Sequence, residues 1–203
     1  MIQNTKIDII RHGEPVGGPR FRGHGVDDPL SEKGWEQMWN AVGDTVNWSR
    51  VITSPLRRCR EFSEALTKQR GLPLEVMEQI KEVGFGDWEG RARQDVKEQD
   101  YQAYKRFYAD PVNARPGGAE PLNEFFSRVT KSVREIMQNY PGEHLLIVAH
   151  AGVVRSVVNM ALGGSLQNLY AVRIEYAQVS RIAHSPELGL QLVFHARTQL
   201  TAE

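Results

Sequence analysis

Residues 145 to 149 read Leu-Leu-Ile-Val-Ala, a continuous apolar run with no polar face. A strand with water on one side alternates apolar and polar residues. A strand that does not alternate needs cover on both faces, which is the condition of strands in mostly parallel sheets held between helical layers. Pro141-Gly142 turns the chain into this run, and His150-Ala151-Gly152 leaves it. Near the start of the chain Ile7-Asp8-Ile9-Ile10 is a second short run, and Arg11-His12-Gly13-Glu14 follows it at once. Open α/β sheets bind their ligands at the carboxyl ends of strands. Two histidines therefore stand where such a sheet gathers its site.

The rest of the chain alternates in the same way. The first strand is predicted over Lys6 to Ile10, and a loop rich in glycine and proline follows through Gly17-Gly18-Pro19 and Gly23-His24-Gly25. Ser31 reads as the N-cap of a helix through Trp35, Met38, Trp39 and Val42. Residues 50–53 read as a strand, and the next helix is predicted to start with Ser54 as cap and Pro55 at its first position. An extended stretch from Leu74 to Met77 comes next, then one helix over Arg93 to Tyr108 with Tyr101, Tyr104 and Tyr108 on one face. This segment is a candidate cover for the mouth of the site. A long helix is expected from Pro121 to Asn139, burying Leu122, Phe125, Phe126, Val129 and Val133, and another from Val153 to Leu162. Three short strands close the chain, around Val172 to Tyr176, Val179 to Ile182 and Leu190 to Phe194. The expectation is one domain over residues 1–203, a three-layer α/β/α sandwich with a mostly parallel central sheet.

Composition narrows the function. With 25 basic and 25 acidic residues the formal net charge is zero, so no nucleic-acid footprint is expected and any anion preference must be local. The sole cysteine, Cys59, excludes an internal disulfide and a cysteine-built zinc cage, and reads as a small buried hydrophobe. No stretch approaches the roughly 20 apolar residues of a membrane span. The N-terminus lacks the pattern of a signal peptide. A cytoplasmic enzyme or binding protein is the expectation, with no nucleic-acid or membrane partner.

The strand ends deliver Arg11 and His12, then Ser54 with Arg57 and Arg58, then Glu82, then His150. Arginines arriving with two histidines suggest a phosphorylated ligand, because guanidinium forks match phosphate oxygens. Arg58 falls in the first turn of its helix, where free N–H groups also favour an anion. Glu82, beside Gly84-Phe85-Gly86, is a candidate general acid, since a carboxyl next to bound phosphate is expected to hold its proton more tightly. Arg57 is turned about 100° from Arg58 and reads as solvated. Arg20 and Arg22 read as loop charges or mouth residues, and His24 either reaches into the pocket or fills the loop. Trp88 and Arg155 read as packing and bracing residues, and His184 and His195 as structural.

These blocks resemble the histidine phosphatase superfamily, of the phosphoglycerate-mutase-like fold, and its phosphatase branch in particular. The resemblance rests on Arg11-His12-Gly13-Glu14, Asp28-Pro29-Leu30-Ser31 with Gly34, Ser54-Pro55-Leu56-Arg57-Arg58, residues 82–90 (EVGFGDWEG) and residues 150–155 (HAGVVR). It implies that His12 attacks phosphorus and becomes a phosphohistidine, that Arg11, Arg58 and His150 hold the phosphoryl oxygens, and that Glu82 protonates the leaving group. It implies no metal and no cofactor. Arg22, Gly23 and His24 are the further candidates for substrate contact. The partner expected is a small phosphorylated metabolite, with a homodimer as the other association allowed.

Two departures stand out. Ala151-Gly152 replaces a glycine pair common after the second histidine, and Gly118-Ala119-Glu120-Pro121 replaces Gly-Gly-Glu-Ser, which puts inherited substrate contacts in doubt. The phosphoglycerate mutases carry a different acid block and a long insertion after it, so the mutase reading is the weaker one. The phenylalanine-glycine-tryptophan block and the Gly23-His24 loop most resemble the α-ribazole phosphatases, and broad sugar phosphatases share most of these residues. A noncatalytic member binding phosphorylated ligands or proteins is the other alternative. It would be expected to lose part of the set Arg11, His12, Arg58, Glu82 and His150, which is complete here.

Overall fold

A computed structural model describes residues 4–44 and 47–200; the expected domain boundaries at 1 and 203 lie outside them. Among the described residues the strands β1 (Thr5–Arg11), β2 (Arg50–Thr53), β3 (Leu74–Val76), β4 (His144–Ala149), β5 (Val179–Ser185) and β6 (Gly189–Arg197) form one sheet in the order β3-β2-β4-β1-β5-β6. The pairs β3–β2, β2–β4 and β4–β1 are parallel, while β5 and β6 add antiparallel to the β1 edge.

The unbroken apolar run of β4 has the cover it requires. Leu145, Ile147 and Ala149 face a core filled by α5 (Leu122–Asn139) and α6 (Ala151–Leu162), through Phe125, Val129, Val133, Val153 and Val157. Leu146 and Val148 face the other core, against Met38 and Val42 of α1 (Glu32–Val42) and Phe62 and Leu66 of α2 (Arg57–Arg70). Each fully buried side chain of this size contributes about 1.5–3 kcal/mol over leaving it exposed, so every second residue of β4 ties a different helical layer to the sheet. This is the α/β/α sandwich.

Four local expectations are corrected. α2 starts at Arg57 rather than at Pro55, because Ser54 is held by its own backbone N–H on Val148 O (3.0 Å) and turns its hydroxyl to His150. Residues 93–108 are not one helix but α3 (Arg93–Gln99) and α4 (Tyr101–Ala109), because the Asp100 carboxylate accepts from Ala103 N (2.9 Å) and caps a new start. Residues 172–176 are irregular rather than a strand: β5 takes the place beside β1, and the carbonyls of Val172 and Ile174 accept from the side chains of Arg155 and Arg11 instead. Phe126 is half-buried rather than in the core. α3 and α4 carry a third cluster, Val96 and Phe107 with Phe21, against which Phe85, Trp88, Tyr104 and Tyr170 pack.

β1 contains an acid that its apolar neighbours conceal. Asp8 is fully buried, with Oδ1 on Arg181 Nε (2.6 Å) and Oδ2 on Trp48 Nε1 (2.9 Å) and His144 Nε2 (2.8 Å). Burial pushes its pKa up, but the hydrogen bonds from His144, Arg181 and Trp48 outweigh that and hold the carboxyl below its ordinary range.

Candidate active site

The end of β1 is fixed from both sides. His12 N donates to Ala149 O at the end of β4 (2.9 Å), and Ala177 N donates to His12 O (3.3 Å). Gly13 then passes so close to the first turn of α1 that a Cβ would overlap the Gly34 carbonyl, which makes this crossing a glycine position. The ring of His12 is also set. Its Nδ1 lies 2.7 Å from Gly13 O, and a carbonyl only accepts, so Nδ1 carries the proton and Nε2 keeps its lone pair. Burial first, then the Arg58 and Arg11 cations, push the His12 pKa well below its usual value, so the ring is neutral near pH 7.

Arg11, Arg58, Glu82 and His12 come from β1, α2 and the loop after β3, and they line one cleft of about 120 Å³. Arg11 Nη1 is held by Ile174 O (2.7 Å) and its guanidinium lies 4.0 Å from the ring centre of Tyr176. Arg58 Nη2 is held by Gly23 O (2.8 Å) and Nη1 by Val26 O (3.0 Å). Both Nε atoms are buried with no hydrogen-bond partner among the described residues. Burial pushes Arg11 down to about 10 and lowers Arg58 as well. Two desolvated guanidinium groups with unspent donors, lining one cleft with a neutral imidazole, suit an oxyanion.

His150, the N-cap of α6, is fully buried beneath His12, its ring centre 5.2 Å away and edge-on. Its Nε2 shares a 2.6 Å hydrogen bond with Ser54 Oγ, and burial with the Arg58 cation lowers its pKa. Its ring packs against His12, and, contrary to the expectation that it holds the phosphoryl oxygens, it is not among the residues lining the cleft. Cys59 lies against it, Sγ 3.7 Å from Nε2, and burial raises that thiol's pKa, in keeping with an inert packing residue.

Glu82 is buried, and its Oε1 accepts from Val83 N (3.0 Å) and Gly152 N (3.1 Å). The loop that carries it is clamped from outside. Arg128 on α5 donates to Lys81 O (2.9 Å) and Glu82 O (3.2 Å) and pairs with Glu120, which in turn accepts from Gly84 N (3.0 Å). Glu120, which stands between the departures Ala119 and Pro121, thus belongs to the frame of the acid loop.

The remaining candidates divide. Gly23 and Arg22 line the cleft, but Arg22 is buried rather than a loop charge, spent on Asp28 (2.8 Å) and Val16 O (2.6 Å). Arg20 lines it as well, with its Nε on Gly17 O (2.9 Å). His24 does not line it; its Nδ1 donates to Glu82 O (3.1 Å), which makes it a brace of the acid loop. Arg57 is exposed and paired with Glu61. Several lining residues escaped the sequence reading, Arg93 and Phe107 among them. Tyr176 and Tyr170 have no motif to reveal them, and Arg155, read as a helix brace, also lines the cleft. Among the described residues no three or more His, Cys, Asp or Glu come together as a metal site, and no helix is long and apolar enough to cross a membrane.

The profile of the histidine phosphatase superfamily (branch 1) matches residues 7–194. A bifunctional protein of Mycobacterium tuberculosis is 29% identical over 182 residues; these cover 87% of this chain but 49% of that protein, so the chain spans about half its length. The adenosylcobalamin/alpha-ribazole phosphatase of Escherichia coli K12 is 25% identical over 196 residues, 95% of this chain and 96% of the relative. The crystal structure of the alpha-ribazole phosphatase of Shigella flexneri superposes with a TM-score of 0.82 at 26% identity, over 98% of this chain and 99% of that one.

Proposed function

The chain belongs to the histidine phosphatase superfamily (branch 1), and on that footing we propose that it hydrolyses small phosphomonoesters through a phosphohistidine on His12, without a metal, residues 1–203 acting as one domain. The observation that carries this reading is the state of His12: a neutral imidazole, its Nδ1–H tied to Gly13 O (2.7 Å), in one cleft with two buried arginines that have unspent donors. Nε2 attacks phosphorus, the bond from phosphorus to the ester oxygen breaks, and protonated Glu82 gives its proton to that oxygen, releasing the alcohol. The Glu82 carboxylate then takes a proton from water, whose oxygen attacks phosphorus. The P–N bond breaks, and phosphate leaves with His12 restored. Arg11 and Arg58 hold the phosphoryl oxygens throughout, and fixed positive charge of this kind carries most of the catalysis in phosphoryl transfer. His150 keeps the nucleophile in place from below.

The Escherichia coli relative's name makes α-ribazole 5′-phosphate one substrate to test. Phosphate release from that ester, sugar phosphates, phosphoglycerates and nucleoside monophosphates, measured with excess chelator, tests the reading. Turnover of at least one ester that chelator does not reduce is expected. Abolition by chelator, efficient transfer between the two phosphoglycerates, or binding without turnover across the panel would overturn it, the last in favour of a noncatalytic binder.

A further inference from the structure

The block of residues 82–90 carries a second glutamate that the mechanism leaves unused. Glu89 stands between the two loops that bring Arg58 and Glu82 to the cleft. Its Oε1 accepts from Phe85 N (2.9 Å), three residues past Glu82 on the acid loop, and its Oε2 accepts from Gly25 N (2.9 Å) on the loop after β1. The carboxylate lies so close to that loop that a Cβ at Gly23 or at Gly25 would fall inside it, and Gly23 also takes a φ of +57°. The room left by two missing side chains in Gly23-His24-Gly25 is filled by Glu89.

Each side of this joint leads to one functional group. On the first side, Gly23 O accepts from Arg58 Nη2 (2.8 Å) and Val26 O from its Nη1 (3.0 Å), so residues 23–26 set the direction of the guanidinium. Asp27 Oδ1 accepts from Arg57 N (2.7 Å) and ties the same loop to the start of α2. On the second side, Phe85 N belongs to the turn after Glu82. His24, between the two glycines, has its Nδ1 3.1 Å from the carbonyl oxygen of Glu82 itself. Backbone bonds from Gly90 N to Phe21 O (2.7 Å) and from Phe21 N to Arg91 O (3.0 Å) also join the two segments. Glu89 joins them next to Gly23 and Phe85, both of which line the cleft.

We propose that Glu89 is a positioning residue for both groups: through residues 23–25 it sets Arg58 on the phosphoryl oxygens, and through Phe85 it sets the Glu82 carboxyl on the leaving oxygen. The proposal rests on the phosphatase reading above. A carboxylate suits the place because it only accepts, and it meets two N–H donors with one oxygen each. Glutamine keeps one acceptor oxygen and turns an NH2 toward the other N–H, so it holds one loop but not both. Alanine holds neither.

Two readouts separate the sides of the joint. Inhibition by inorganic phosphate reads Arg58 without needing an acid, and the ratio of kcat on an alkyl phosphate to kcat on 4-nitrophenyl phosphate reads Glu82. In Glu89→Ala the phosphate inhibition constant is expected to rise about threefold to tenfold and the alkyl-to-aryl ratio to fall roughly tenfold, within the hundredfold that a displacement of about 1 Å costs. Glu89→Gln should fall between, and it carries the test if thermal unfolding shows that the alanine variant does not fold. In a Glu82→Gln background Glu89→Ala should lower the ratio no further, because the acid it positions is gone. A merely structural role would lower Tm and the activity on both esters alike. A folded variant with the wild-type ratio, with wild-type phosphate inhibition, or with a ratio that still falls in the Glu82→Gln background would overturn the proposal. Absence of turnover by the wild type on every ester, with no phosphoenzyme, would instead sink the phosphatase reading, and this role with it.

Discussion

Gly152→Ala isolates the part played by Glu82. Gly152 is the second residue of α6, and by propensity alone an alanine there should stabilise the helix by up to about 1 kcal/mol. Two neighbours oppose it. The new Cβ would fall well inside contact distance of Glu82 Oε1 and 3.0 Å from Phe125 Cζ. Phe125 is fully buried and cannot retreat, so the carboxylate must yield by on the order of 1 Å. It would thereby lose the Gly152 N–H bond, now 3.1 Å. A shift of that size in a catalytic group costs about 100-fold, and a positioned acid supplies about 10² to 10⁴ in rate. The loss should depend on the leaving group. An alkyl ester needs its oxygen protonated, whereas a nitrophenyl ester leaves nearly unaided. The expected result is a kcat drop of about 100-fold on an alkyl phosphate, several-fold on 4-nitrophenyl phosphate, and a melting temperature close to wild type. Equal losses on the two esters, or full activity, would refute the placement of Glu82 as the acid.

Asp8→Asn removes the carboxylate that Arg181, His144 and Trp48 share. Breaking a buried ion pair costs about 3–5 kcal/mol, a fall in Tm of roughly 6–20 °C for a chain of this size; a change under about 3 °C would contradict it. The folded-state pKa values of His12 and His150 lie below their unfolded values, so the unfolded chain binds more protons between the two, and stability falls as pH drops below about 6.5. In phosphate-free buffer the two together contribute up to about 2.7 kcal/mol per pH unit in that window. Denaturant titrations of wild type and His12→Gln should differ by about half that slope, and parallel curves would show that His12 is not held neutral.

The layers were legible because they follow from single segments. A run such as 145–149, apolar at every position, has no solution other than cover on both sides, and the histidine at its end marks the carboxyl edge whatever the helices do. The residues at strand ends, Arg11, His12, Arg58 and Glu82, could be placed in one cleft on that basis. What escaped depends on long-range packing. Nothing local says that the irregular 172–176 segment lays Tyr176 over Arg11, or that the Asp100 carboxylate divides the 93–108 region into two helices. Asp8 reads as an interruption in an apolar run until Arg181, 173 residues later, appears beside it. His24 was ambiguous for the same reason: its partner, the carbonyl of Glu82, lies 58 residues away. Arg155 was weighed as a brace, and its Nε is one; its free Nη atoms are visible only with the opposite wall in place.

The central claim is that His12 Nε2 carries the phosphoryl group. Rapid mixing of the protein with 4-nitrophenyl phosphate, followed by quench at high pH and intact-mass analysis, measures this directly. A phosphorylated species that survives base, is lost in acid, maps to the peptide containing His12 and is missing from His12→Ala is the expected result, and Glu82→Gln should accumulate more of it, because the water that clears it loses its base. A His12→Ala protein that turns over near the wild-type rate, or a phosphoryl group found on any other residue, would contradict the account.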